Sequence, residues 1–196
     1  MTHVELFQEN VKKTITTRYS IGIINFGYIL RHIISDILFT SKKGMFIHCS
    51  SVITQNKKAF IFTGESGSGK STISSMLSDR YQLFSDDCAI IIKKHDGWYI
   101  YQVPSFEKNL YKKTSMGYKI DTIFFLYKSK TTFTHISKEK HENLSRIYSQ
   151  CFLNSITPLA RKFIFLQVIS LLDQHKKIFH LSFNLNKKKL QYLFDQ

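Results

Sequence analysis

The sequence predicts an α/β fold of α+β character, a mixed β-sheet with hairpins around one strand–loop–helix unit. Three observations carry that reading. The stretch GESGSGKST, Gly64–Thr72, follows an apolar strand-like run and precedes a helical pattern. Gln55-Asn56-Lys57 and His95-Asp96-Gly97 each lie between strand-like runs and imply antiparallel pairing. Helical patterns gather towards the two ends of the chain, whereas a doubly wound sheet alternates strand and helix regularly.

Each element follows from local pattern. Gly22–Leu38 repeats apolar residues at helical spacing over a wide face. Ser41–Gly44 is a polar break, after which Met45–Thr54 and Lys58–Thr63 read as two strands. Ser71–Asp79 begins a helix, with Ile73, Met76 and Leu77 on one side. Tyr81–Ser85 is a short strand ending at Asp86-Asp87, and Cys88–Lys93 with Trp98–Val103 forms a second hairpin. Pro104 opens a loop. Lys119–Tyr127 is a hydrophobic strand and Thr132–Ile136 a further short one. Lys138–Phe152 reads as a helix polar on one face. Pro158–His175 is the best helix, with Pro158 in the first turn, where its missing N–H costs nothing. Phe179–Phe183 alternates as a strand, and Lys187–Leu193 is a short amphipathic helix. Residues 1–20 read as a lead-in to a single domain covering 1–196.

Composition narrows the classes. A chain of 196 residues with 43% hydrophobic and 21% charged residues builds one domain with a real core. Seventeen Phe and ten Tyr argue against disorder. No apolar run reaches the roughly 18–20 residues of a membrane span, and MTHVELFQENVKK lacks the order of a signal peptide. Cys49, Cys88 and Cys151 have no C-x-x-C spacing, which fits buried thiols in a reducing cytoplasm better than a disulfide framework or zinc site. The net charge of +14 favours anionic partners. Its lysines are spread in pairs, with no basic helix interleaved with aromatic platforms, which argues against a nucleic-acid module.

GESGSGKST satisfies G-x-x-x-x-G-K-[ST], the phosphate loop or P-loop. Gly64, Gly67 and Gly69 let the backbone turn its N–H groups towards an anion, and Glu65, Ser66, Ser68 and Thr72 complete the candidate nucleotide site. Lys70 would reach the outer phosphates and Ser71 would place its hydroxyl on Mg²⁺. Downstream, Asp86 and Asp87 end a strand, and side-chain alternation sends them to different sides. One of the pair could hold Mg²⁺ and the other take the proton of an attacking hydroxyl. Solvated loop acids or a helix cap are the plain alternative. His48, in the strand before the loop strand, is structural unless it meets Asp86-Asp87, where it could orient the base.

FIHCSSVI with His48, AFIFTGESGSGKST and LFSDD together resemble the HPr kinase/phosphorylase catalytic domain and its wider group of small HPr-kinase-like proteins. The tail PLARKFIFLQVISLLDQHKKIFHLSFNL is similar to the end of that smaller group, so the resemblance spans roughly residues 20–196. It implies a P-loop fold shared with phosphoenolpyruvate carboxykinase. It also implies roles: Lys70 on phosphates, Ser71 and Asp86 on metal, Asp87 as base, and His48 against Asp87. The small relatives include kinases of peptides, which makes a peptide or protein hydroxyl the expected acceptor and ATP with Mg²⁺ the expected donor. An acidic peptide suits the charge.

The leading expectation is therefore an ATP- and Mg²⁺-dependent kinase of a serine or threonine hydroxyl. Alternatives are a kinase of a small-molecule hydroxyl, a non-catalytic nucleotide-binding regulator and a nucleic-acid-binding ATPase. Substrate choice falls to Pro104–Gly117, with Lys108, Lys112 and Lys113, and to Arg161. A homo-oligomer is compatible with all of these.

Overall fold

The computed structural model describes residues 2–8, 11–17, 23–104, 112–131, 133–136, 140–152, 157–175 and 177–194. An antiparallel hairpin, β1 (Thr2–Gln8) with β2 (Val11–Thr17), occupies the segment expected only as a lead-in. Helix α1 (Ile23–Ser41) precedes β3 (Gly44–Ile47), β4 (Ser50–Ile53) and β5 (Lys58–Thr63). The glycine-rich loop then enters α2 (Lys70–Leu77). Four strands follow, β6 (Gln82–Ser85), β7 (Ala89–Lys94), β8 (Gly97–Gln102) and β9 (Tyr118–Lys128). The last elements are β10 (Phe133–Ile136), α3 (Lys140–Ser149), α4 (Pro158–Gln174), β11 (Ile178–Phe183) and α5 (Lys187–Leu193).

Strands β3 to β11 form one mixed sheet of nine strands, an α/β arrangement rich in antiparallel pairs. β5, β9 and β11 run parallel, and β4 lies antiparallel between β5 and β6. On the edge of β9 opposite β5, β8 meets Tyr118 and Lys119, while β11 takes Ile123 through Lys128. β7 joins β8 to β3.

Two local expectations need correction. Met45–Thr54 is not one strand: it lapses at His48 and Cys49, so that β3 pairs with β7 and β4 with β5 and β6. The register nevertheless carries across, with Ile47 opposite Ala89 and Ser51 opposite Ser85, before a bulge shifts it. The two stretches thus make one ribbon whose ladder opens over His48–Ser50 and Asp86–Cys88. Every residue of β3 and β4 is buried, so no change of pattern marks the gap. The second correction concerns the β7–β8 turn. Lys94 pairs with Gly97, which leaves His95-Asp96 as the loop and puts Gly97 inside the strand.

Packing fixes the two faces. On one, Ile147 of α3 and Ile164, Val168 and Leu171 of α4 join Met45, Ile47, Ile61, Ile123 and Phe125 of the sheet. On the other, Ile73 and Leu77 of α2 and Leu190 of α5 cover Val52, Phe62, Phe124, Leu126 and Phe183. Phe62 stacks on Phe124 at 5.4 Å, and Phe124 on Phe179 at 5.8 Å, which adds aromatic contact to area burial. Helix α4 starts at a Thr157 cap whose hydroxyl accepts from the Ala160 N–H, with Pro158 beside it as expected. Among the described residues, no helix is long and apolar enough to cross a membrane.

Candidate functional site

The glycine-rich loop leaves the end of β5, a strand whose last three residues are fully buried. Gly69 stands at the N-cap of α2 with φ 99°, and no side chain caps the helix start. Its conformation favours glycine, and a Cβ there would lie 2.7 Å from Phe183 Cζ, so space and backbone both demand it. The first N–H groups of α2 are therefore offered to an anion. Gly67, φ 75°, faces open space where no atom lies within 4 Å of a built Cβ. The Ser68 hydroxyl is buried with no hydrogen-bond partner among the described residues. A cradle with open room, uncapped amides and an unsatisfied hydroxyl fits a phosphate chain.

Lys70 is 7% exposed, and its ammonium donates to the carbonyls of Gly64 at 2.8 Å and Glu65 at 3.0 Å. Burial lowers its pKa below the ordinary lysine value, opposed by Cys49 and Asp87 nearby. The Ser50 hydroxyl, in β4, donates to the Lys70 carbonyl at 2.6 Å and ties the start of α2 to the sheet.

The gap in the ribbon holds the other half of the site. His48 Nε2 lies 3.2 Å from Asp87 Oδ1, with the two side chains 32% and 53% exposed. Arg31 of α1 donates to Asp87 Oδ2 at 3.3 Å. The His48 hydrogen bond is the main reason that Asp87 sits below the ordinary carboxylate pKa. Partial burial opposes the fall, and the charges of His48 and Arg31 add to it. The segment after α3 braces the gap: the His48 N–H donates to Gln150 O at 2.8 Å, and Phe152 N–H to Phe46 O at 3.3 Å. Thr63, the last residue before the loop, donates to the His48 carbonyl at 3.2 Å. Asp86 is 5% exposed, whereas Ser71 is exposed on α2.

The structure thus brings His48 and Asp87 into contact, with Lys70 close enough to feel the charge of Asp87. Other expected residues stand apart or outside it. Lys108 lies outside the described residues. Lys112 is tied through Gln102, whose amide donates both to its carbonyl and to Phe84 O beside the gap. Lys113 folds back on Val103 O at 3.4 Å. Arg161 belongs to a groove between α3 and α4, away from the loop. Two arginines were not anticipated. Arg31 and Asp36 are the two charges of an otherwise apolar helix, and the partner of Arg31 lies 56 residues away, so no local signal marks it. Arg146 lies 4.8 Å from the Tyr127 ring centre and bonds Glu142. With Gly64–Ser68 and the end of β9 it lines a cavity of about 650 Å³. The Tyr127 hydroxyl there is also buried without a partner among the described residues.

No curated protein matches the chain. Among solved structures, it is similar to the HPr(Ser) kinase/phosphatase from Coxiella burnetii. That match has a TM-score of 0.34 and 14% identity, over 47% of this chain and 72% of that one, a distant likeness only. The model of the SynChlorMet cassette protein ScmC matches residues 12–178, from within β2, through the loop and the gap, to the start of β11. Since that match takes in nearly every element described above, the chain belongs to the ScmC family of SynChlorMet cassette proteins.

Proposed function

We propose that the chain is an ATP- and Mg²⁺-dependent phosphotransferase that acts on a serine or threonine hydroxyl of a peptide or protein. The observation that carries this reading is the contact of His48 with Asp87, whose charge also reaches Lys70. A nucleotide sensor needs a phosphate cradle but has no use for a carboxylate held by a histidine beside it. In this reading the amides of Gly64–Gly69, Ser71 and Thr72 hold the phosphates, and Glu65, Ser66 and Ser68 line the entry. Ser71 and Asp86 would hold Mg²⁺, which would neutralise charge on the transferring phosphoryl group. A hydroxyl and a carboxylate suit an ion that keeps most of its ligands as water and phosphate.

Asp87 is the base. The acceptor oxygen forms a bond to the γ-phosphorus, its proton passes to Asp87, and the bond to the leaving ADP oxygen breaks with its electron pair. Lowered proton affinity keeps Asp87 ionised and ready at neutral pH. Negative phosphate arriving beside it raises that affinity towards the task. His48 holds the carboxylate in place.

The test is to incubate the protein with Mg²⁺, labelled ATP and candidate peptides, and to follow phosphate by mass spectrometry. Transfer by the native chain, lost in Asp87→Asn with nucleotide binding retained, supports the reading. Transfer that survives in Asp87→Asn removes Asp87 as base. Transfer only to small-molecule alcohols would favour the second reading, a small-molecule kinase.

A further inference from the structure

The outer face of α4 carries a feature that the phosphotransfer site does not use. Its inner stripe, Ala160, Ile164, Val168 and Leu171, is buried on the sheet. Yet Leu159 is 67%, Phe165 41% and Leu166 51% exposed, a second apolar stripe at helical spacing. Helices apolar on both sides are normally covered on both. Beside the stripe, α3 and α4 border a shallow, open groove of about 550 Å³. Leu144, Tyr148 and Phe165 make its floor, the two rings packed edge-on at 6.0 Å. His141, Arg161 and Lys162 make its rim, and among the described residues no carboxylate lines it. Glu142, the acid next to His141, is instead engaged with Arg146 on the cavity side.

We infer that this groove and stripe dock an acidic peptide segment bearing bulky apolar side chains, at a distance from the hydroxyl that is phosphorylated. Its role as a substrate-recognition surface rests on the kinase reading above; the binding itself does not. Charge selects this occupant. A second copy of the chain would bring the same basic rim and a net charge of +14 to the contact, and like charges repel. An acidic segment neutralises the rim while its apolar residues fill the floor. The route to the site is short, because Ser145 of α3 lines both this groove and the cavity beside the glycine-rich loop.

The experiment measures binding without nucleotide. A fluorescein-labelled peptide as long as α4, 17 residues, carries Leu and Phe at helical spacing and Glu elsewhere, and its anisotropy is read against a Lys-for-Glu counterpart. The Glu peptide should bind, and weaken at higher salt, while the Lys peptide should not. Leu166→Asp should weaken binding by at least about tenfold, as loss of a buried anchor does. Arg161→Glu with Lys162→Glu, both at exposed positions, should do the same without touching the core. Equal binding of both peptides, or binding unmoved by both variants, overturns the inference. So does a dimer by light scattering that Leu166→Asp dissolves, or displacement of the peptide by a single-stranded oligonucleotide that binds the native chain more tightly. With a Ser-containing version of the Glu peptide as phosphate acceptor, Leu166→Asp should raise KM and leave kcat alone. If that Ser-containing peptide docks but never gains phosphate, the result counts against the kinase and leaves the dock standing.

Discussion

Asp87 and Asp121 are each held by two basic side chains, at different ends of the parallel strands. Asp87 meets His48 and Arg31 beside the glycine-rich loop, and its side chain is 53% exposed. Asp121 meets Lys58 and Lys177, both at 3.3 Å, and its side chain is 16% exposed. Asp121 is the extra residue of a bulge in β9, between pairs Ala59–Ile120 and Phe60–Thr122. Burial would raise the Asp121 pKa, but the Thr122 hydroxyl and the two ammoniums outweigh it, so both carboxylates lie below their ordinary value. An ion pair with a lowered pKa therefore does not mark a catalytic group. What separates the two is company: near Asp87 lie uncapped helix amides and a buried lysine, and near Asp121 neither.

Exchanging each acid for its amide gives the largest contrast. Asp87→Asn should lower phosphoryl transfer by about 10²–10⁴-fold, the range for loss of a general base, and Asp121→Asn should leave it within about twofold. A labelled-ATP assay on both variants checks this, and equal losses would erase the distinction. His48→Gln should cost roughly 10–100-fold in transfer, as loss of an orienting partner does, with nucleotide affinity unchanged by calorimetry. Arg31→Ala should lower transfer by about tenfold or less, since its guanidinium pairs with the Asp87 oxygen that His48 does not touch. Asp121→Asn should instead cost about 1 kcal/mol of stability in urea unfolding, more than Asp87→Asn costs. The smallest effect is in acid. Both folded pKa values lie below 3.8, so the unfolded chain binds protons first and stability falls as pH drops through that range. Either amide variant should flatten the fall of melting temperature below about pH 4, and Asp121→Asn should flatten it more because it is less exposed.

The same contrast shows what could be read before the fold was known. The loop and its flanking strand and helix were legible because glycine, lysine and serine at fixed spacing have one mechanical use. β5 and α5 came out with the expected ends because a turn or a cap bounds each of them: Lys57 has φ 58°, and Asn186 accepts from the Lys189 N–H. The break at His48-Cys49 was hidden because both sides of it are buried throughout, so period two never shows. The shifted turn at His95-Asp96 escaped because Asp-Gly is the commoner turn pair, while here Gly97 sits in β8, where a Cβ would lie 3.1 Å from Lys119 Cε. Arg31 and Arg146 escaped because their meaning lies in the third dimension.

The ribbon gap has a consequence for how the chain assembles. β3–β7 and β4–β6 are separate ladders, yet their facing pairs, Ile47–Ala89 and Ser51–Ser85, keep one count across the opening. A slip of one residue in either half would turn buried side chains to the wrong face and carry His48 or Asp87 out of line. The His48–Asp87 contact therefore depends on the register of both halves at once. A slipped chain would keep the sequence of its glycine-rich loop but lose the histidine–carboxylate contact beside it.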